Sequence, residues 1–406
     1  MKKFEKLGCF EGDQKWAASI FRNEPIIERK DDIRSEFWRD YNRLLHANAY
    51  RRLKHKTQVF HTTSNDHICT RIEHVNHVAS VSYTICNALG LNTELALAIA
   101  IGHDIGHAPF GHDGENILSE IAHKSYGGNF WHEKNSLHFA DSIETLQNQN
   151  GDYHNLNLSY AVRDGILSHC GEVDEFAIFP RDENIDLNNV NKPNQYPPFT
   201  WEAAVVKVAD KISYLGRDIE DALLLNILSK EQVDELIEIL AIINPEPFKV
   251  INNTVLIHNF VINLCQNSDP TKGICFSEPY TEALLKIKQF NYQYIYLHPR
   301  LNHYYDYSKL IINTLFDVLT MPDNNINIHN HFQNIHQHYP TLAHYFENWL
   351  IKYSDYQISK RIELKYQNKM IYDCCKHRDY NRAIIEFISS MTDQFAVNNY
   401  QELIKF

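Results

Sequence analysis

The chain of 406 residues is long enough to bury a large core, as one large domain or two moderate ones. Its 44% hydrophobic and 22% charged residues are those of an ordinary globular protein, and a formal net charge of −12 argues against broad, non-specific nucleic-acid binding. An anionic small substrate stays open if positive charge is gathered locally. Histidine is the outlier at 23 copies, which favours metal or acid–base chemistry without locating it. Eight cysteines, none in a C-x-x-C pair, read as a reduced, cytoplasmic chain. No long apolar region follows Met1–Lys6, so no signal peptide is expected. The apolar stretch near 250–264 is broken by Asn252, Asn253, His258 and Asn259 and is no membrane span.

Apolar residues at three- and four-residue spacing predict helices over 34–56, 71–90, 93–105, 112–124, 133–148, 158–170 and 200–228. Further helices are predicted over 231–243, 278–290, 306–320, 340–352, 356–373 and 379–394. Strand-like alternation is scarce, with Ile178–Phe179 and Lys249–Ile251 as weak candidates. The Asn- and Pro-rich stretches Asp186–Pro198 and Pro322–His331 read as loops. The fold class is all-α. An N-terminal segment (1–33) precedes a helical core (34–230) and a C-terminal helical region (231–406).

The segment Gly102–Glu115, GHDIGHAPFGHDGE, packs His103, His107, His112, Asp104, Asp113 and Glu115 among four glycines and a proline. The apolar run Leu95–Ile101 delivers it. Ionisable groups at the end of a buried run are costly unless they bind a metal or each other. His103 and Asp104 are neighbours, about 100° apart on a regular helix, so both reach one ion only near a helix end. Gly106 and Pro109 supply that end. His74, on an amphipathic helix, and Asp210, a carboxylate within the apolar run Val205–Leu215, are the further ligand candidates. Two imidazoles and two carboxylates suit Mn, Fe, Zn, Ni or Mg. On the residues alone, His74 as a satisfied core histidine and Asp210 as a structural ion-pair partner stay open. HDIGH imitates the H-E-x-x-H of zinc peptidases, but Gly106 and Pro109 break the helix that motif needs. Gly106–Gly111 has the glycine spacing of a P-loop without its Lys and Ser/Thr, so a bound nucleotide is held by side chains and metal.

His74, His103–Asp104 and Asp210 together resemble the H…HD…D signature of the HD-domain hydrolases. Phe37–Asp40 with Ala49–Phe60 resembles the FRRL…KTQVF segment of deoxyguanosine triphosphate triphosphohydrolases, and Thr70–His74 their TRLEH. Gly102–Glu115 resembles their GHDIGHxPFGHxGE, and Arg382–Ala396 their DYIAGMTDRYA. The likeness runs from about residue 34 to 400.

The resemblance implies metal-dependent hydrolysis of a deoxynucleoside triphosphate, dGTP first, to deoxynucleoside and tripolyphosphate. His74, His103, Asp104 and Asp210 would hold the divalent ion (Mn, Mg, Fe, Co, Ni or Zn). The 5′-oxygen is a poor leaving group, so a proton donor is needed. His112 paired with Glu115 at i, i+3 comes first, with His132 and His107 beside it. Tyr214 and Asp218 share a helix face with Asp210 and would meet the deoxyribose. Arg71 and Lys211 are the main phosphate candidates. Arg52, Gln58, Val59, Arg378 and Tyr380 complete the substrate set, with His169 and His377 as weaker members. Partners implied by relatives are an allosteric nucleotide, weak single-stranded DNA binding and a homo-oligomer up to a hexamer, with no membrane. Pool control and phage defence are both compatible roles. The alternatives are another HD phosphohydrolase (nucleotidase or phosphodiesterase) and a non-catalytic nucleotide sensor.

Overall fold

The computed structural model describes residues 2–25, 32–61, 65, 67–170, 176–243, 251, 253–321 and 328–405. In chain order the helices are α1 (Trp16–Ser19), α2 (Glu36–His46), α3 (Asn48–Arg52), α4 (Arg71–Leu89), α5 (Thr93–Gly102), α6 (Gly111–Tyr126), α7 (His132–His138), α8 (Tyr160–Ser168) and α9 (Trp201–Leu224). There follow α10 (Lys230–Leu240), α11 (Asn253–Asn267), α12 (Glu278–Phe290), α13 (Pro299–Leu319), α14 (Ile328–His338), α15 (Pro340–Tyr353), α16 (Ile358–Glu363), α17 (His377–Ser390) and α18 (Asp393–Ile404). Among the described residues the one sheet is a short antiparallel hairpin, β1 (Thr145–Gln147) with β2 (Tyr153–Asn155), Leu146 opposite His154. The fold is all-α.

Residue contacts divide the chain into two units. The first holds Met1–Asn42, Gln58–His103 and Leu158–His303; the second holds Arg43–Thr57, Asp104–Asn157 and Tyr304–Phe406. Residues 231–303 therefore group with the helices before them rather than with the C-terminal stretch. Their packing shows why: α11 lies against α9 and α4, and Asn291 donates to the Leu215 carbonyl at 3.0 Å.

Local chemistry fixes the helices of the first unit. Glu73 reaches back to the Thr70 N–H at 2.8 Å, a capping box that starts α4. Gly90, at φ 91°, ends it in the left-handed conformation that glycine adopts without strain. The Asn92 side chain accepts the N–H groups of Glu94 and Leu95 at 3.0 and 3.1 Å and so caps α5. Because α5 is apolar all round, from Leu95 to Ile101, it is buried between neighbours rather than laid on a surface. It packs against α4, α8 and α9. At the α8 contact, a Cβ on Gly165 would stand 2.5 Å from the Ile99 side chain, so glycine sets the approach of the two helices.

In the second unit α17 packs against α6 and α15, and α15 also meets α18. The predicted helix 34–56 breaks at Ala47, which is extended (φ −65°, ψ 143°), and finishes as a 3₁₀ turn, Leu53–His55. The predicted helix 133–148 runs only to His138, continues as a π-helical turn (Phe139–Ile143) and gives way to β1. The predicted helix 356–373 stops at Glu363; Lys365 takes φ 58°, and Arg361 donates to the carbonyls of Lys352 and Asn368. Four helices have no counterpart in the apolar pattern: the short α1, α11, whose asparagines break it, α14 and α18. Helix α14 begins inside the predicted loop Pro322–His331, of which 322–327 lies outside the described residues. Ile178 makes a single antiparallel bridge with Ile274, and Lys249–Val250 of the other strand candidate lies outside the described residues.

Placing alanine at Gly165 forces α5 and α8 apart at the Ile99 contact. The expected cost is about 1–3 kcal/mol of unfolding free energy, measured by urea denaturation.

Candidate active site

Three ionisable side chains converge in the first unit. His74 comes from the first turn of α4, His103 caps the C-terminus of α5, and Asp210 lies on α9. His74 Nε2 stands 2.9 Å from Asp210 Oδ1, and His103 Nε2 stands 3.8 Å from the same oxygen. Both imidazoles are buried, as is Asp104, the residue after His103. Burial alone would raise the Asp210 carboxyl. The hydrogen bond from His74 and the nearby imidazoles outweigh it and hold the group at about 2. The Nδ1 of His103 donates to the Ala100 carbonyl at 2.6 Å. That bond fixes the tautomer and turns the Nε2 lone pair inward, the usual setting of a metal-ligating imidazole. Ligand atoms of His74, His103 and Asp210 lie within 4.8 Å of one another. This mixed N/O set fits a divalent transition metal or Mg.

A second cluster forms within the second unit. His107, His112, Glu115 and His132 offer ligand or proton-transfer atoms within 4.8 Å of one another. The His107 and His132 rings stack at 4.8 Å and 26°. Glu115 is the hub: it accepts the His132 backbone N–H at 2.8 Å, lies 3.1 Å from His132 Nδ1, and lies 3.3 Å from His112 Nδ1. Glu133 adds a carboxylate oxygen 3.5 Å from the same His132 nitrogen. Burial works against charging His132, but Glu133 and Glu115 prevail and hold it well above the ordinary imidazole value. Burial likewise opposes ionised Glu115, yet His132 and His112 keep it well below the usual carboxylate range. The i, i+3 spacing pairs Glu115 with His112, but the structure gives it a better-held partner in His132. The His112 side chain is 57% exposed against 13% for His132.

The turn between the HD dipeptide and α6 is braced from four sides. Phe110 (φ 65°) and Gly111 (φ 62°) are both left-handed, and for phenylalanine that conformation costs energy. Asp393 accepts the Phe110 N–H at 2.9 Å through one oxygen. Its other oxygen accepts the Thr57 N–H at 3.0 Å and the Thr57 hydroxyl at 2.5 Å. The buried Lys56 ammonium donates to the carbonyls of His107 and Ser389. Ser136 accepts the Gly106 N–H at 3.0 Å, and Asn135 donates to the Gly106 carbonyl at 2.5 Å. The KTQVF and MTD segments thus hold the backbone that carries His107 and His112. The resemblance places Lys56 in the KTQVF segment and Asp393 in the Arg382–Ala396 segment without assigning either a role. Both are buried.

The substrate candidates divide. Arg71, at the first position of α4, is buried in the same unit as His74. Asp218 is buried two turns beyond Asp210 and accepts the Tyr296 hydroxyl at 2.5 Å. Burial carries the Asp218 carboxyl up to about 7 despite that bond. Tyr296, from the π-helical turn Asn291–Tyr296, is a neighbour the sequence did not signal, because it lies far away in the chain. The Gln58 amide oxygen is buried with no hydrogen-bond partner among the described residues, and Val59 beside it is half-buried. Lys211 lines a small cavity with Lys207, Ile178 and Leu264. Arg52 is engaged with Glu144 at 2.9 Å, and the Arg378 guanidinium lies over the Tyr126 ring at 6.0 Å. Tyr380 is a correction: it is fully buried, packs on Phe346, and its hydroxyl donates to the Leu319 carbonyl at 3.2 Å. It is a core residue because α17 turns that face inward.

Residues 71–215 match the HD domain, and residues 274–344 match the phosphohydrolase-associated domain. With the His74–His103–Asp210 cluster, these matches define an HD-domain phosphohydrolase of the metal-dependent class. A deoxyguanosinetriphosphate triphosphohydrolase-like protein of Desulfatibacillum aliphaticivorans is 31% identical over 91% of this chain and 88% of its own. Its namesake in Clostridium perfringens is 30% identical over 99% of this chain and 98% of its own. One from Caldanaerobacter subterraneus subsp. tengcongensis is 34% identical over 71% and 73%. The chain belongs to the HD-domain family of deoxyguanosinetriphosphate triphosphohydrolase-like proteins.

The raised His132 pKa makes its contribution to stability full below about 6.5 and lost as the pH rises through the raised value. The depressed Glu115 contributes above about 4.3 and loses its share as the pH falls through the lowered value. Glu115→Gln should lower the His132 pKa by about one unit or more, followed by NMR of the imidazole ring. An unchanged titration would remove Glu115 as the cause. Asp393→Ala should cost about 1–3 kcal/mol in thermal or denaturant unfolding, since it strands a buried Phe110 N–H.

Proposed function

We propose that this protein hydrolyses a deoxynucleoside triphosphate, dGTP preferred, to the deoxynucleoside and inorganic tripolyphosphate. One observation carries the reading. A single segment, Gly102–Glu115, supplies both an imidazole whose Nε2 lies near the Asp210 carboxylate and a carboxylate that holds a second imidazole well above its ordinary pKa.

His74, His103, Asp104 and Asp210 would hold the divalent ion, which supplies Lewis acidity toward a phosphoryl oxygen and lowers the pKa of a bound water. The remaining work belongs to side chains. Arg71 and Lys211 meet the triphosphate as cations. The Glu115–His132 pair holds a proton on the imidazolium and delivers it to the 5′-oxygen as the Pα–O5′ bond breaks. The water oxygen ends on the α-phosphorus of tripolyphosphate, and the nucleoside leaves with its 5′-hydroxyl. His112 and His107 flank that proton donor. Tyr214 packs under the deoxyribose and excludes a 2′-hydroxyl, while Asp218, braced by Tyr296, takes the 3′-hydroxyl. Gln58 and Val59 border the base and sugar.

Each dNTP, alone and in pairs, is incubated with Mg, Mn or Co, and the products are separated by chromatography. The expected result is deoxynucleoside plus tripolyphosphate in one step, fastest with dGTP, with label from ¹⁸O-water in the tripolyphosphate. Stepwise phosphate release, or no turnover in any mixture, overturns the reading. His132→Asn should lower kcat about 10²–10⁴-fold with KM little changed. Asp210→Ala should abolish both metal binding and turnover.

A further inference from the structure

We propose that Glu386 is a positioning residue for His132: by holding His138 it anchors the far end of the short helix that presents the proton donor. This rests on the role given to His132 above. Helix α7 runs only from His132 to His138 and is roughly 10 Å long. Seven residues make too few internal hydrogen bonds to hold a helix in shape or place, so its neighbours must fix it. Its N-cap, Trp131, makes no side-chain cap hydrogen bond, and the His132 N–H is taken instead by Glu115 from α6. The direction in which α7 leaves that point is set at its other end.

There the Glu386 carboxylate, buried on α17, takes three donors. His138 Nε2 lies 2.7 Å from one oxygen, which also accepts the Tyr372 hydroxyl, and Arg382 Nε donates to the other at 2.6 Å. Burial alone would raise this carboxyl, but His138, Arg382 and Tyr372 outweigh it and hold the group at about 2. An ionised carboxylate only accepts, so the His138 nitrogen that faces it carries hydrogen. Three residues away on each helix a second contact is made, where Asn135 donates to the Ser389 hydroxyl at 3.4 Å. Residues three apart share a helix face, so the pairs His138–Glu386 and Asn135–Ser389 fix the register of α7 against α17 as well as its place. Helix α17 also packs on α6, whose last residue, Tyr126, lies under the Arg378 guanidinium. It therefore touches both the helix of Glu115 and the helix of His132. An apolar side chain at 386 would avoid the desolvation cost of the carboxylate but would carry no directional bond to α7.

The test uses the full chain labelled with ¹⁵N-histidine. The Nδ1–H of His132 that faces Glu115 gives a downfield, exchange-protected proton resonance, assigned by its loss in His132→Asn. In Glu386→Gln and in His138→Leu that resonance should move or broaden, and kcat with dGTP should fall about ten- to hundredfold with KM little changed. Phe346→Leu loosens the core of the same unit; it should lower the unfolding midpoint while leaving the resonance and kcat as in wild type. A folded Glu386→Gln or His138→Leu protein with the wild-type resonance or kcat overturns the proposal, as does a Phe346→Leu protein that loses the resonance equally. The His138 side chain is 20% exposed, so its replacement is the milder one and decides if Glu386→Gln does not fold. If the wild-type protein turns over no dNTP, the hydrolase reading fails, and the resonance alone decides whether Glu386 positions His132.

Discussion

A largely buried carboxylate with imidazoles beside it is the constraint on which the site depends. Asp210 interrupts a helix whose neighbouring residues Val205, Val206, Val208, Ala209 and Ile212 are all buried. An ionised group in that setting is tolerable only with positive charge at hand, from protons on His74 and His103 or from a metal ion. The helices around it conform to that need. Helix α5 is apolar on every side so that it can end in the interior, and it delivers His103 with its tautomer already set by Ala100. Helix α8 packs close to α5 at Gly165, and the His169 ring lies beside that of His103.

The second cluster solves the complementary problem. There the group to be kept charged is a largely enclosed imidazole, and the carboxylates of Glu133 and Glu115 do it. The two clusters therefore have opposite electrostatic logic: one concentrates ligand electron density for a cation, the other stores a proton. A hydrolase that must both polarise a phosphoryl group and protonate a poor leaving oxygen needs both. The strained Phe110–Gly111 turn is where the chain passes to the helix that carries Glu115, and Asp393 and Lys56 hold it in that shape.

Much of this was legible in the sequence because it is local. The apolar period predicts most helices, and the spacing of Asp210, Tyr214 and Asp218 puts them on one face. What escaped was of another kind. Helix α11 hides behind its asparagines, since a polar residue in an apolar period reads as a break even when a neighbouring helix covers it. Asp393 looks like an ordinary first-turn acid of α18, and its partners Thr57 and Phe110 are hundreds of residues away in the chain. Tyr380 looked available beside Arg378 and Arg382, yet its side chain is core.

The apolar period by itself set the all-α fold, and the H…HD…D and GHDIGH motifs, through their resemblance to the HD-domain hydrolases, pointed to the class and to the four metal-ligand candidates. Tertiary structure alone decided which partners those residues have. Glu115 has His112 three residues away, a pairing that helix geometry announces, but it holds His132 more closely, and only folding brings that ring to it. Likewise His169 is a lone histidine in the sequence and a neighbour of His103 in space. The reason is physical: propensity and periodicity act over a few residues, whereas the desolvation that selects a partner for a buried charge acts on whatever packing brings within a few ångströms.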